Sequence, residues 1–440
     1  MDRSNDSFGR PSGHSLTDSV SSVLSVVNYT YETTGRLKTV SDGTDTFTYG
    51  YETDSNLLAS LTAPQHTVDY TYEDNRNVMT TVDNKVSGSS LSKYAYTYDA
   101  LGRRDDRTQS GSAISTSTDD FTYNTRSEVT ASTNDVLTTA AYNPTYSFDQ
   151  IGNRTGATVD LNGSTSYTAN QLNQYSSVGS SSPVHDSDGN LTNDGTWTYD
   201  WNNENRLINA TDGTTSIDFV YDYQGRLVKK DDGTNIEVYV YDGWNRIAKH
   251  TVNSSSVILN SSFTLWGLDL SGSPQGAGGV GGLLKEGNYY PTFDANGNIM
   301  QKLDGTGTTV MNVDYDPFGN IISGTLVGEY GFSTKPLIDN IDWYYYGFRY
   351  YDAVTGRWPS RDPIHELGSV IMGYDFNFES TVKLWLYGEY ATVLNIHHHF
   401  QNSAGPISKA MLDRYHEAFD AAYFYLEYFD SKMARAFSQK

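Results

Sequence analysis

The sequence contains no cysteine. Disulfide bonds, thiolate metal sites and a thiol nucleophile are therefore excluded. Without covalent cross-links, the fold must be held together by side-chain packing and by backbone hydrogen bonds.

Basic residues are also scarce. The 440 residues include 30 Lys and Arg against 53 Asp and Glu, which gives a formal net charge of −23. A surface of this sign repels phosphate backbones and anionic lipid head groups, so we expect no nucleic-acid partner for the repeat array described below. No apolar run approaches the roughly 18 residues of a membrane span, and the opening residues lack the apolar stretch of a signal peptide.

Aromatic residues, in contrast, are abundant. The chain has 35 Tyr, 17 Phe and 7 Trp, far more than disordered segments carry, so we expect it to fold. Many of these residues begin a recurring sequence motif, of which YDYQGRLVKK (221–230) is a clear copy. The copies start at Tyr31, Tyr51, Tyr72, Tyr98, Tyr123, Phe148, Tyr199, Tyr221, Tyr241, Phe293 and Tyr315.

The spacing of the copies indicates a repeat protein. Close neighbours are 20 to 26 residues apart, a period typical of repeat architectures rather than of a single core. Two wider gaps (148–199 and 241–293) predict degenerate copies, and HDSDGNL at 185–191 is one candidate. The opening NDSFGRPSG reads as another degraded copy, so we expect a fragment that enters its array partway.

Each copy predicts a β-hairpin. A second large apolar residue usually stands two positions before the starting aromatic, as in Tyr49 and Tyr51, which puts both rings on one face of a strand. The fifth position predicts a left-handed turn because it holds Gly or Asn. These residues are Gly35, Gly102, Gly152, Gly225, Gly297, Gly319, Asn203 and Asn245. The turns with Ser55, Arg76 and Ser127 at this position should differ.

The fold class predicted from this pattern is all-β, with the YD-repeat hairpins joined edge to edge in one continuous sheet. The copies of this motif resemble those of the RHS/YD-repeat family, and YYYGFRYYDAVTGRWPSRDPI (344–364) resembles the repeat-associated core segment of that family. The resemblance extends over roughly residues 5 to 366. The resemblance implies a sheet that spirals into a hollow shell, only part of which this chain would supply, with the core segment plugging one end. It also implies a bacterial protein, secreted or at the cell surface, whose variable C-terminal region is commonly a toxin.

Three regions follow from this resemblance. We predict a YD-repeat array at 1–320 with a Gly-rich linker at 267–287, an RHS core or plug segment at 321–366, and a variable tail at 367–440. The tail is predicted to be partly helical, because apolar residues recur there near the helical period. These residues are Leu412, Tyr415, Phe419, Ala422, Phe424 and Tyr428.

The core segment carries the candidate catalytic residues. In relatives, an aspartyl-protease-like centre in this segment cuts the chain just downstream. The matching positions are Arg349 and Asp362, and Asp352 is a further carboxylate nearby. Two carboxylates that share a site split their pKa values, so that one acts as a base and the other as an acid. The structural alternative has Asp352 capping the AVTG turn and Asp362 in a bend. We favour this alternative because no recognisable cleavage motif follows the core segment.

Two other motifs are weaker. The stretch GAGGVG (276–281) fits a dinucleotide-binding pattern, but no predicted helix follows it, so we interpret it as a link between repeats and expect no cofactor. The tail holds weak candidate metal ligands, for which an ordinary surface loop is the alternative. They are His397, His399, His416 and Asp420.

The leading functional hypothesis is a structural shell segment of an RHS-type polymorphic toxin that encloses or presents its own C-terminal cargo. One alternative is a cell-surface adhesion protein that uses exposed aromatic residues to bind glycans or a secretion-system component. The other is an enzyme, acting through self-cleavage by the core or through a toxic tail.

Overall fold

The strands form where aromatic and β-branched residues alternate with polar ones. In the strand Thr46–Tyr51, Phe47 and Tyr49 are buried, whereas Thr48 between them is more exposed. The computed structural model describes residues 1–17, 23–137, 142–160 and 163–361, which belong to one unit, Met1–Arg361. The described part is all-β, as predicted, and its single helical element is a 3₁₀ turn at Phe332–Thr334. The predicted helical tail lies outside the described residues.

The first long sheet has sixteen strands, which follow one another in chain order and pair antiparallel. They are β1 (Asp2–Asn5), β2 (Pro11–Thr17), β3 (Val23–Tyr31), β4 (Leu37–Ser41), β5 (Thr46–Tyr51), β6 (Leu58–Thr62), β7 (Thr67–Tyr72), β8 (Met79–Val86), β9 (Ser89–Tyr98), β10 (Arg104–Ser110), β11 (Ser117–Tyr123), β12 (Val129–Asn134), β13 (Thr145–Phe148), β14 (Arg154–Asp160), β15 (Gly163–Ala169) and β16 (Tyr175–Val178).

The second long sheet has ten strands, again in chain order. They are β17 (Val184–His185), β18 (Leu191–Asn193), β19 (Thr198–Trp201), β20 (Leu207–Thr211), β21 (Ser216–Tyr221), β22 (Leu227–Asp231), β23 (Ile236–Asp242), β24 (Asn245–Val252), β25 (Ile258–Trp266) and β26 (Leu283–Glu286). The array of hairpins is thus divided after β16, and we call the junction between β16 and β17 the seam.

Three small sheets follow. The first contains β27 (Tyr290–Phe293), β28 (Ile299–Leu303) and β29 (Thr309–Asn312), and the second contains β30 (Asp314–Tyr315) and β31 (Ile321–Ser323). The third contains β32 (Leu337–Ile338), β33 (Trp343–Tyr345) and β34 (Tyr350–Asp352). Within the described ranges, no helix has the length and apolar character that crossing a bilayer would require.

The predicted left-handed turns are confirmed at all six glycines. Gly225 has φ +85°, its N–H donates to Asp222 O (3.0 Å), and the Asp222 N–H donates to Arg226 O (3.0 Å). A side chain at this position would need the positive φ that β-branched residues strongly disfavour. The degenerate copies at the start of each long sheet share the geometry, since Gly9 and Gly189 also have positive φ in turns closed by an aspartate N–H.

The turn positions assigned to asparagine were wrong. After β19 the left-handed residue is Asn205 and not Asn203, because the aromatic that precedes the turn is Trp201 rather than Tyr199. Asn245 pairs with Asp242 in a tighter hairpin, whose positive φ falls on Gly243.

The turns without glycine differ from one another. Those at Ser55 and Arg76 are one residue longer than the turn at Gly225, and their positive φ falls on Asp54 and Asn77. At Ser127 the expected difference was wrong, because this residue adopts φ +64° in a turn of ordinary length.

A second kind of turn, which the sequence analysis missed, connects strands at their other ends in each long sheet. In these turns an Asp-Gly pair connects two strands, as at Asp42, Asp212 and Asp232. The aspartate carboxylate accepts the N–H groups two and three residues later, which is the standard Asx-type support of a tight turn.

Candidate functional site

The recurring motif connects neighbouring hairpins. Asp222 Oδ1 accepts the N–H of Gln224 (3.0 Å) and of Arg226 (2.9 Å), and its Oδ2 accepts Arg226 Nε (2.8 Å). Burial by itself would raise the pKa of Asp222, but the hydrogen bonds from Arg226 outweigh that effect and lower it. The carboxylate therefore stays charged and holds the arginine in place.

The arginine then reaches the next hairpin. Arg226 Nη1 donates to Gly243 O (2.6 Å), and its guanidinium lies 5.2 Å from the Tyr241 ring centroid. The Tyr241 hydroxyl donates back to Leu227 O (2.7 Å). Arg36 and Tyr51 repeat this arrangement in the first sheet, where Tyr51 donates to Leu37 O (2.6 Å). The tyrosine, the acid and the arginine of these motif copies thus connect successive repeats.

The first long sheet is covered by β27–β29 through a buried polar ladder. Asn84 Nδ2 donates to Phe293 O (2.9 Å), and Ser92 Oγ donates to Gln301 Oε1 (2.6 Å). Gln301 Nε2 donates to Tyr94 Oη (3.2 Å). Because each of these side chains is buried, the pairings fix the position of the small sheet on the array.

The second long sheet is covered by the core segment, of which the structure describes residues 321–361. The Trp343 ring stacks on Tyr199 with centroids 4.4 Å apart and planes at 22°. Tyr345 Oη accepts the Leu227 N–H (2.7 Å), and the Tyr350 and Tyr221 hydroxyls are 2.7 Å apart. This aromatic contact belongs to one hydrophobic cluster, which also includes Leu207, Ile217 and Phe219 of the array.

The last described residues of the core segment lie at the seam. Arg357 donates to Asn153 Oδ1 and to Asn173 O at the end of the first sheet, and its guanidinium lies 4.0 Å from the Tyr175 ring centroid. Pro359 O accepts the Leu191 N–H (2.8 Å) at the start of the second sheet. The core segment therefore joins both sheets immediately before residue 362.

The candidate catalytic residues are only partly described. Asp352 Oδ1 accepts the Val354 N–H (2.9 Å) and Oδ2 accepts Thr355 Oγ1 (2.5 Å), so this carboxylate caps the AVTG turn. Burial raises the pKa of Asp352, and these hydrogen bonds oppose the rise. The Arg349 guanidinium lies over the Trp358 ring, 4.3 Å from its centroid. Asp362 lies outside the described residues.

Sequence reasoning overlooked a carboxylate from the array. Asp194 accepts the Tyr199 hydroxyl at Oδ2 (2.6 Å), and its charge adds to the rise in the pKa of Asp352. Asp194 belongs to an Asp-Gly turn far from the core segment in sequence, so its position near Asp352 follows from the packing alone.

The remaining motifs have simple structural settings. In GAGGVG, the N–H groups of Ala277 (2.7 Å) and Gly279 (3.0 Å) both donate to Asp269 Oδ2, so an internal carboxylate occupies the position that a phosphate would need. The candidate metal ligands His397, His399, His416 and Asp420 lie outside the described residues.

Comparison with known proteins gives three groups of matches. The family model of the Teneurin YD-shell matches residues 79–378. The tRNA nuclease WapA of Bacillus subtilis (strain 168) is 26% identical over 229 residues, which cover 50% of this chain and 9% of that protein. The toxin subunit YenC1 of Yersinia entomophaga is 40% identical over 73 residues, which cover 14% of this chain and 7% of that protein.

Solved structures share the fold. The crystal structure of TcdB2-TccC3 without its hypervariable C-terminal region superposes with a TM-score of 0.62 at 17% identity, over 80% of this chain and 20% of that one. The Tc holotoxin pore of Photorhabdus luminescens gives a TM-score of 0.57 at 16% identity, over 77% of this chain and 20% of that one. The chain thus spans less than a tenth of its curated relatives and about a fifth of the solved chains. Because the family match extends over well over half of the sequence, the chain belongs to the Teneurin YD-shell family, and the resemblance to RHS/YD-repeat proteins is confirmed.

Proposed function

We propose that this chain is a structural segment of a shell that encloses or presents the polypeptide following its core segment. The observation that carries the proposal is the position of Arg357 and Pro359, which fix the end of the core segment to both long sheets at the seam. The residues that follow therefore start from a defined point on the array. A chain that merely trailed from a sheet edge would need no such double attachment.

The relatives support this role. Two of them are named as a nuclease and a toxin subunit, and one solved structure is described as lacking a hypervariable C-terminal region. A shared scaffold that carries a variable effector agrees with these descriptions. Residues 367–440 would be the effector or its remnant, and the protein would act outside the cell that makes it.

Limited proteolysis of the full-length chain tests the proposal. We expect peptides from residues 362–440 to appear more slowly from the folded protein than from the same protein in denaturant. Trp343→Ala, which removes the ring stacked on Tyr199, should speed their release. Tyr223→Ala should not, because Tyr223 is 90% exposed and provides a matched aromatic control. Immediate loss of the tail from a wild-type protein whose array stays intact would contradict enclosure.

Expression of residues 367–440 alone in a bacterial host separates a live effector from a remnant. Inhibited growth would identify the tail as cargo with a toxic activity. Unchanged growth would leave the scaffold role and favour a remnant.

A further inference from the structure

Residues 353–361 of the core segment cross the seam, and we call them the strap. On the first long sheet, Arg154 Nη1 donates to Val354 O (2.9 Å). On the second, the Leu191 N–H donates to Pro359 O (2.8 Å). Between these two attachments the ladder of the array is interrupted, because β16 ends the first sheet and β17 begins the second. The strap therefore connects two sheets at a point where, among the described strands, neither sheet pairs with the other.

Within the array, an arginine links several copies of the motif to the next hairpin. Arg226 stands four residues after Asp222, and its guanidinium reaches the Tyr241 ring of the following hairpin. Arg103 has the same position in its turn, and its guanidinium lies 4.6 Å from the Tyr123 ring centroid. We call such a residue a linking arginine, because it connects one turn to the aromatic residue of the next copy.

The copy of the motif that borders the seam has no linking arginine. The corresponding residue, four positions after Asn170, is Gln174, whose Oε1 accepts Asn170 Nδ2 (2.9 Å). Glutamine has a shorter side chain than arginine and no charge, so it cannot provide the ring stacking and the charge-assisted hydrogen bond of a guanidinium. This copy therefore supplies no guanidinium toward the seam.

Arg357 of the strap stands where that guanidinium would be. It donates to Asn173 O, in the turn that ends with Gln174, and its guanidinium lies 4.0 Å from the Tyr175 ring centroid in β16. It also acts on β17, because burial lowers the pKa of His185 and the charge of Arg357 lowers that pKa further. His185 occupies the aromatic position of the next copy, HDSDGNL. The core segment thus provides the linking arginine that the array lacks at the seam.

We propose that the strap holds the seam closed and that the array opens between β16 and β17 when the strap is withdrawn. Inside each long sheet, neighbouring strands hold each other through backbone hydrogen bonds, whereas the strap joins the sheets mainly through side chains. Local opening follows the weakest set of contacts in a structure. The regulatory role rests on the proposed function, because the polypeptide after residue 361 is continuous with the strap, so a pull on it withdraws the strap.

Hydrogen–deuterium exchange of the full-length protein, measured by mass spectrometry, tests the proposal. Arg357→Gln should raise the exchange rates of the backbone amides in β16 and β18 by about tenfold or more, while the amides in β5 and β6 keep their wild-type rates. Arg226→Gln is the matched control, because it removes a linking arginine inside the second sheet. It should leave the exchange of β16 unchanged.

A second substitution separates the role at the seam from a general loss of stability. Gln174→Arg, combined with Arg357→Gln, returns a guanidinium to the array and should restore most of the lost protection. Wild-type exchange in Arg357→Gln, equally faster exchange in β5 and β6, or no restoration by Gln174→Arg would each overturn the proposal. The exchange rates at the seam do not depend on the fate of residues 362–440, so this result and the proteolysis of the tail can fail separately.

Discussion

The repeat array and the core segment are built on different principles. In the array, the same contacts recur from hairpin to hairpin, as the pairs Arg36 with Tyr51 and Arg226 with Tyr241 show. In the core segment, Trp343, Tyr345 and Tyr350 each make a different contact with the second long sheet. This difference indicates that the stability of the array is spread over many equivalent positions. The contact between the second long sheet and the core segment depends instead on a few aromatic side chains.

The largest expected effect tests the core side of this comparison. Trp343→Ala removes a buried ring from the cluster on the second long sheet and should lower the free energy of unfolding by about 3–5 kcal/mol. Chemical denaturation followed by circular dichroism measures it. Tyr223→Ala, on an exposed turn of the array, should change stability by less than about 0.5 kcal/mol. Equal losses in the two variants would remove the distinction between core and array.

The next effect concerns a position where the array departs from its own pattern. His66 is buried in a turn of the first sheet, and burial lowers its pKa to about 4. The unfolded chain, with a histidine pKa of about 6.5, binds more protons between these values, so stability should fall by roughly 3 kcal/mol as the pH drops from 6.5 to 4. His66→Gln should flatten this part of the stability profile. A variant whose stability falls as steeply as that of the wild type over this range would show that His66 does not titrate as described.

A smaller effect is expected at a single repeat turn. Gly225→Val places a β-branched side chain at φ +85° and against Arg206, and should cost about 1 kcal/mol or more. Gly305→Val is the matched control, because Gly305 has ordinary φ and open space around it. Melting curves of the two variants compare them directly. An unchanged melting temperature for Gly225→Val would mean that the turn tolerates a side chain.

The smallest effect concerns the candidate chemistry of the core segment. Asp362→Asn should leave the mass of the full-length protein unchanged on a denaturing gel, because no recognisable cleavage motif follows the core segment. Asp352→Asn should do the same, since Asp352 caps a turn. Two bands for the wild type and one band for either variant would establish self-cleavage and give the core an enzymatic role.

The repeats and their glycine turns could be predicted from the sequence because they depend on local geometry. A glycine four residues after a strand-ending aromatic adopts positive φ wherever it occurs, as at Gly35 and Gly319. The prediction failed where two aromatics compete for that position, as with Tyr199 and Trp201, because only strand pairing decides which ring ends the strand. The Asp-Gly turns were missed although their sequence signal, Asp42-Gly43 for example, is strong.

The surroundings of the candidate catalytic carboxylate could not be predicted in the same way. Asp194 and Asp352 are 158 positions apart in the sequence, and no local pattern links them. The charge of Asp194 acts on Asp352 only because the core segment packs against the second long sheet.

The sequence by itself determined the all-β class, the hairpin period and the chemistry of each turn, because strands and tight turns respond to residues a few positions apart. Only the tertiary structure decided where the array divides, which faces β27–β29 and the core segment cover, and that the core segment reaches both long sheets at the seam. Those features depend on contacts between residues up to 245 positions apart, such as Tyr290 with Asp45, for which no local pattern exists.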